Sequence, residues 1–381
     1  MNIKSLLLGS AAALVAVSGA RAADAVVVAE PEPVEYVRVC DVYGSGFFYL
    51  PGTETCLKIG GYVRVDIRGG DYYGSDYLDD PHDGVRSAAG DETYNNRVRF
   101  QLRADARSET EYGTLRSYAA INFNYQVSGN DTNSYDMSDG MSIEHAYIEL
   151  GGFRIGKTDS YFSTFTDYSS GVMNDGIVPY GPFGTLQIAY TYTGANGFSA
   201  GVAIEQGDQS DIAYSSDVRA DGQALGGITQ DYAPFVVGGL SFTQGWGKIG
   251  LVAGYDSWQN EVAVKGRLDV NITDTASVFV MGAWDSAGFD NENYYAQWAG
   301  DWAVWGGTAI KFNEKATFNA EVGYDDGENF SVAANVAYDL VPGFTITPEV
   351  VYYSPDKNSK GETEEDTDDS WGFNLRFQRT F

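Results

Sequence analysis

From Leu57 to Arg68 the chain alternates: Leu57, Ile59, Val63, Val65 and Ile67 hold one parity, and Lys58, Tyr62, Arg64, Asp66 and Arg68 the other. Successive side chains in a strand point to opposite faces, so this stretch reads as a strand with one apolar and one charged face. The alternation recurs with Arg97, Arg99, Gln101, Arg103, Asp105 and Arg107 opposing Val98, Phe100, Leu102, Ala104 and Ala106. It recurs again with Arg116, Tyr118, Asn122 and Asn124 opposing Leu115, Ala119, Ile121, Phe123 and Tyr125. Further strands are predicted over 141–150, 153–157, 185–192, 198–205, 234–242, 248–255, 261–271, 276–284, 295–311, 316–324, 330–338, 344–352 and 371–381, about 16 in all.

The connections alternate in length. Short ones lie at 151–152, 194–197, 244–247, 313–315 and 341–343, and long polar ones at 69–93, 127–140, 158–184, 207–231 and 354–369. Short turns on one side, long loops on the other and an even strand count describe an all-β fold, a 16-stranded antiparallel transmembrane β-barrel with short periplasmic turns and long external loops. In a soluble sandwich the loop lengths need not alternate, and a chain of this size would divide into domains. Aromatic residues gather near strand ends, among them Tyr190, Tyr192, Phe198, Tyr255, Trp284, Tyr324, Tyr338, Phe344 and Tyr352. They read as the girdles of a membrane barrel, the plainer alternative being aromatics of an ordinary β-core. The last strand alternates Trp371, Phe373, Leu375 and Phe377 and ends at Phe381, a terminal aromatic of the kind that serves as an insertion signal.

The N-terminus adds export. Lys4, the apolar run Leu6 to Val17 and Ala20-Arg21-Ala22 form a secretory signal over 1–22, followed by an N-terminal segment 23–56 and a barrel over 57–381. Removing Lys4 and Arg21 takes the formal net charge from -29 to -31, since 1–22 holds no acid. Such acidity argues against nucleic acid. Cys40 and Cys56 fit a disulfide in an oxidising compartment, or else two buried free thiols. No cofactor, metal site or catalytic residue is expected. Gly151-Gly152-Phe153-Arg154-Ile155-Gly156-Lys157-Thr158 satisfies the phosphate-loop pattern, but Phe153 and Ile155 alternate with Arg154 as a strand would, and no helix start follows. His82 and His145 lack a serine nucleophile turn and read as structural or solvated. Acidic runs such as Asp79-Asp80 with Asp83, or Glu364-Glu365-Asp366 with Asp368-Asp369, read as solvated faces rather than cation sites.

One segment resists the strand pattern. The strand after Gly151-Gly152 lasts about five residues, where roughly 10 are needed to cross a bilayer, so the chain leaves the wall near mid-height after Lys157. The loop 158–184 then folds into the bore as a constriction loop, the third external loop. It carries Asp159, Asp167 and Asp175, facing the wall cations Arg64, Arg97, Arg99, Arg103, Arg116 and Arg154. Opposite fixed charges across a narrow passage orient dipolar solutes and favour polar cargo. The alternative for each arginine is pairing within the wall.

Three runs carry a resemblance: Val37-Arg38-Val39-Cys40-Asp41, then Cys56-Leu57-Lys58-Ile59-Gly60-Gly61-Tyr62-Val63-Arg64, then Ala146-Tyr147-Ile148-Glu149-Leu150-Gly151-Gly152-Phe153-Arg154-Ile155-Gly156-Lys157. The whole chain resembles the alphaproteobacterial general porins, in particular those of Brucella and its rhizobial relatives. The resemblance implies a homotrimer in the bacterial outer membrane, among lipid and lipopolysaccharide, passing small hydrophilic solutes and ions passively. The departures lie in external loops such as 207–231 and 357–369. Alternatives are a substrate-selective channel, or a barrel that serves as scaffold for a surface interaction protein.

Overall fold

The computed structural model describes residues 38–70, 72, 94–129, 135–206, 232–288, 293–355 and 369–381. The expected signal over 1–22, the segment 23–37, Asp79, Asp80, Asp83, His82, the loop 207–231 and the acidic run 357–368 lie outside these residues. A two-residue strand, β1 (Phe48–Tyr49), precedes the wall. The wall begins with β2 (Cys56–Gly69), β3 (Arg97–Thr110), β4 (Gly113–Gly129), β5 (Tyr135–Leu150), β6 (Phe153–Asp159), β7 (Gly184–Thr193), β8 (Phe198–Glu205) and β9 (Phe235–Gln244). It continues with β10 (Gly247–Asp256), β11 (Glu261–Thr273), β12 (Ala276–Asp285), β13 (Trp302–Asn313), β14 (Ala316–Asp325), β15 (Phe330–Val341), β16 (Phe344–Ser354) and β17 (Ser370–Thr380).

Each wall strand pairs antiparallel with its sequence neighbours, and β17 pairs with β2, so β2 to β17 close a 16-stranded ring. Closure leaves no sheet edge, which a hydrocarbon surround demands because an unpaired backbone group there has no water to bond. The seam runs from Phe373 opposite Gly69 to Thr380 opposite Tyr62. Beyond it Phe381 and Gly61 exchange both backbone hydrogen bonds at 3.1 Å.

The burial pattern is inverted relative to a soluble protein. Leu240, Leu251, Ile188, Val280 and Val350 are exposed, while Asp66, Gln101, Asn122, Glu205, Asp256, Lys265, Glu321 and Glu349 are buried. A Lys or Arg on the lipid face at mid-bilayer costs roughly 2–4 kcal/mol, so the charged parity of each strand turns to the bore and the apolar parity to lipid. At one end of the barrel, disulfide-bonded Cys40 and Cys56 bury with Phe47 beside Tyr43 and Tyr49. The Tyr43 hydroxyl donates to Glu109 at 2.7 Å, tying this segment to β3.

Several strand boundaries differ from the sequence expectation, and three of the differences bear on the wall and the bore. The long loop expected at 127–140 is mostly strand: Tyr125 pairs with Asp139 and Gly129 with Tyr135. Turn-forming residues there are overridden by the continuing ladder. The strand expected from Tyr295 starts instead at Trp302, and Tyr294, Tyr295 and Trp298 are buried residues of the β12–β13 connection. β6 runs two residues further than expected, to Asp159, which pairs with Gly184 at the start of β7.

Candidate functional site

Between β6 and β7 the chain leaves the wall for residues 160–183. Ser160 opens this excursion by capping the one-turn helix α1 (Tyr161–Thr164), its hydroxyl accepting from the Phe162 N–H. Side chains of β8, β10, β11, β13 and β16 then hold the loop, mostly by its backbone. Glu205 accepts from the Tyr161 N–H at 2.6 Å and the Ser160 hydroxyl at 2.8 Å. Lys248 donates to the Phe165 carbonyl at 3.1 Å, and Arg267 to those of Tyr168 and Ser169 at 2.6 and 2.9 Å. Lys265 and the Trp305 indole reach the carbonyls of Tyr180 and Val178 at 2.7 and 2.8 Å. The tip is gripped by Glu349, which accepts from the Asn174 N–H at 3.1 Å and from the Met173 N–H. Loop backbone buried away from water must find such partners.

The loop is also packed. Phe162, Val178 and Tyr180 join Phe235, Met281 and Trp305 of the wall in one buried cluster, to which Tyr294, Tyr295 and Trp298 add their rings. Two glycines make room. A side chain on Gly254 would meet the Tyr295 ring at 2.6 Å, and one on Gly201 would collide with the Tyr161 hydroxyl. This cluster occupies the side of the bore lined by β7–β13.

On the other side is an opening of about 380 Å³, lined by Arg64, Arg99 and Arg103 from β2 and β3, Glu144 and His145 from β5, and Asp159 and Asp175 at and beyond the end of β6. Tyr62, Gln101, Tyr118, Tyr168, Tyr180 and Phe183 complete its lining. Arg64 and Arg99 sit directly opposite each other on paired strands. The guanidinium carbons of Arg64 and Arg103 lie 4.4 and 5.4 Å from the centre of the Tyr62 ring.

The six arginines expected at the constriction separate into two groups. Arg97 is bound to buried Asp66 at 2.7 Å, and Asp66 also takes Arg376 at 2.6 Å. Arg116 pairs with Asp105 and Glu149 at 2.9 and 2.8 Å, and Arg154 with Glu149 at 2.7 Å. These three are held by carboxylates of the wall and are not among the residues lining the opening. Arg64, Arg99 and Arg103 instead donate to the amide oxygens of Gln378, Asn124 and Gln101, and none of them forms an ion pair among the described residues.

The three acids differ as well. Asp159 ends β6 and accepts from the Tyr168 hydroxyl at 2.6 Å. Asp175 accepts from the Tyr180 hydroxyl at 2.8 Å, and burial pushes its carboxyl above the usual aspartate range. Asp167 is not in the lining; its carboxylate is bound to Lys248 at 2.8 Å. Sequence reasoning missed Glu144 and set His145 aside. His145 Nδ1 lies 3.0 Å from the Thr158 hydroxyl. Two adjacent polar residues inside an alternating strand were the available signal for both. The phosphate-loop match falls on the Gly151-Gly152 turn, both residues at positive φ, and on β6, so its Lys157 opens no helix.

Comparison with known proteins agrees with this architecture. The sequence profile described as the porin subfamily matches residues 24–374. The chain is 50% identical over 388 residues to porin Omp2b of Brucella suis, and 49% identical over 391 residues to porin Omp2b of Brucella neotomae, with the full length of both partners covered in each case. Among solved structures, the outer membrane channel DcaP of Acinetobacter baumannii superposes with a TM-score of 0.61 at 16% identity, over 87% of this chain and 99% of that one. An anion-selective porin from Comamonas acidovorans superposes with a TM-score of 0.53 at 13% identity, over 86% and 100%. These two likenesses show the fold alone. The relatives of half-identical sequence and the profile that spans the barrel show more: the chain belongs to the porin family, the diffusion channels of the bacterial outer membrane.

Proposed function

We propose that small hydrophilic solutes and ions pass through the opening between the β2–β5 wall and the loop 160–183, and that fixed charges filter them there. The observation that carries this reading is the separation of the arginines: three guanidiniums with no carboxylate partner among the described residues face the same opening as Glu144, Asp159 and Asp175. Charges neutralised by contact in the wall contribute little field at a distance, whereas unpaired charges around a narrow aqueous gap act on every ion that crosses it. Arg64, Arg99 and Arg103 are therefore the cationic side of the filter, with Arg97 on one side of it along the strands and Arg116 and Arg154 on the other stiffening the wall. Asp159 and Asp175 belong to the anionic side, and Asp167 contributes less.

On this reading the protein does no chemistry on what it passes and needs no cofactor. Residues 1–22 are an export signal, the functional unit is a homotrimer, its surroundings are outer-membrane lipid and lipopolysaccharide, and Phe381 serves insertion. The resemblance to general porins supports the trimer.

Planar-bilayer recording tests the reading. Arg99→Ala or Arg103→Ala raises the cation-to-anion permeability ratio, by roughly threefold for one charge about 6 Å from the ion path acting oppositely on cation and anion in water screened by ~0.1 M salt. Arg116→Ala moves it less. A trimer closes in three equal steps. Reversal potentials indifferent to Arg99 and Arg103 sink the filter assignment. Saturable block by one solute would instead mark a substrate-selective channel, and a refolded barrel without conductance a surface scaffold.

A further inference from the structure

The anionic side of the opening contains a residue that regular alternation would send into lipid. In β5 His145, Tyr147 and Glu149 share one parity, and Ala146, Ile148 and Leu150 the other. His145 lines the opening and Ile148 is exposed on the outer face, so strict alternation would place Glu144 outside with Ala146. The register shows why it is not there. Ala120 of β4 opposes His145, while the next residue, Ile121, opposes Ile143, so Glu144 is an extra residue without a partner of its own. Such a β-bulge re-aims a side chain at the expense of local pairing. Past it the outward parity resumes, with Ile143 50% and Met141 69% exposed. The bulge thus turns two neighbours, Glu144 and His145, to the same side.

What Glu144 meets inside is equally specific. Its carboxylate accepts from the Asn122 side-chain amide, the Asn122 carbonyl accepts from the Gln101 amide at 2.8 Å, and the Gln101 carbonyl accepts from Arg103 Nε. Four side chains on three neighbouring strands form a row with an anion at one end, a cation at the other and two neutral amides between. Direct contact would cancel the two charges; the amides hold them apart, and Glu144 has no ion pair among the described residues. The groups it shares the opening with are Arg64, Arg99, Arg103, His145, Asp159 and Asp175.

We propose that Glu144 is a specificity-determining residue of the channel, a wall-borne anion that draws cations and ammonium-bearing solutes past the arginines. Its position is set by the β5 bulge and its separation from Arg103 by Gln101 and Asn122. This rests on the opening being the conducting path.

The test uses the full mature porin in planar bilayers under a potassium chloride gradient. Glu144→Gln keeps an acceptor for the Asn122 amide, so the row persists while its charge is lost; the potassium-to-chloride permeability ratio falls by about threefold, the size expected when one charge roughly 6 Å from the ion path acts oppositely on the two ions in water screened by ~0.1 M salt. A second variant guards against misfolding. Glu144→Cys, added to pores already open, is modified by water-soluble methanethiosulfonates, the thiolate displacing methanesulfinate to form a mixed disulfide. A sulfonate-bearing reagent restores the cation preference, and a trimethylammonium-bearing one drives the ratio further toward chloride. A conducting Glu144→Gln pore with an unchanged reversal potential, or an introduced thiol inert to both reagents, overturns the proposal. A wild-type barrel that carries no current overturns the channel reading itself and this inference with it.

Discussion

At the scale of single residues, the charge of a lumen side chain depends on its immediate partner more than on its presence. Arg97 and Arg99 have the same parity on β3, yet Arg97 is clamped to the Asp66 carboxylate while Arg99 donates to the neutral Asn124 amide oxygen. The alternation in sequence reveals that both face inward and stops there. The partners come from β2 and β4, and Asp66 receives Arg376 from 310 residues away. Asp175 shows the same dependence in its titration. Because burial raises its carboxyl above the usual aspartate range, it takes up a proton before ordinary carboxylates as pH falls. Protonation removes a negative charge from the opening, so the cation-to-anion permeability ratio should begin to drop at a pH above that range and recover on return to pH 7. In Asp175→Asn the upper part of that titration should vanish while the remainder stays. Identical pH profiles for the two proteins would exclude Asp175 as the titrating group.

At the scale of elements, the constriction is a loop made rigid by wall residues of high sequence separation. The tip depends on Glu349, which takes the N–H groups of Met173 and Asn174 and the side-chain amides of Asn174 and Asn335. Glu349→Ala leaves two backbone donors without their acceptor, and a buried unsatisfied donor costs about 1–3 kcal/mol. The tip should then fluctuate, visible as raised open-channel current noise at near-normal mean conductance in bilayer recordings. Noise at the wild-type level would show that the packing and the remaining hydrogen bonds from Lys248, Lys265, Arg267 and Trp305 fix the loop without Glu349. The sequence disclosed that β6 is too short to cross, since the alternation after Gly152 breaks off early. It did not disclose the second element that fills the bore. Tyr294, Tyr295 and Trp298 look like the start of a strand because aromatics favour strands, but here they bury on Phe235 and Trp305. Periodicity reads a side chain's parity, and an inward-facing aromatic loop has none. The bulge at Glu144 escaped for a related reason: one inserted residue changes parity locally and leaves both flanking runs regular.

At the scale of the whole molecule, the barrel is a ring whose integrity depends on its seam, and Phe381 belongs to that seam twice. Its backbone exchanges two hydrogen bonds with Gly61, and its ring stacks on Phe100 at 6.3 Å. Phe100 in turn stacks on Phe123 at 5.9 Å, so a lipid-facing aromatic row continues from the C-terminus across β3 to β4. The two contributions can be separated. Phe381→Ala retains the backbone exchange, and the seam from Phe373 to Thr380 is untouched. Losing one ring-ring contact and its packing removes on the order of 1 kcal/mol beyond buried area, too little to open a 16-stranded ring. A purified Phe381→Ala barrel should therefore conduct with wild-type unit conductance. If the terminal ring also serves as an insertion signal, the cost appears during assembly, as a several-fold smaller heat-modifiable fraction in outer membranes of expressing cells. Normal assembly with normal conductance would reduce Phe381 to a packing residue. Normal assembly with altered conductance would mean that the seam transmits strain to the arginines of β2, since Arg64 and Gln378 are bonded across it.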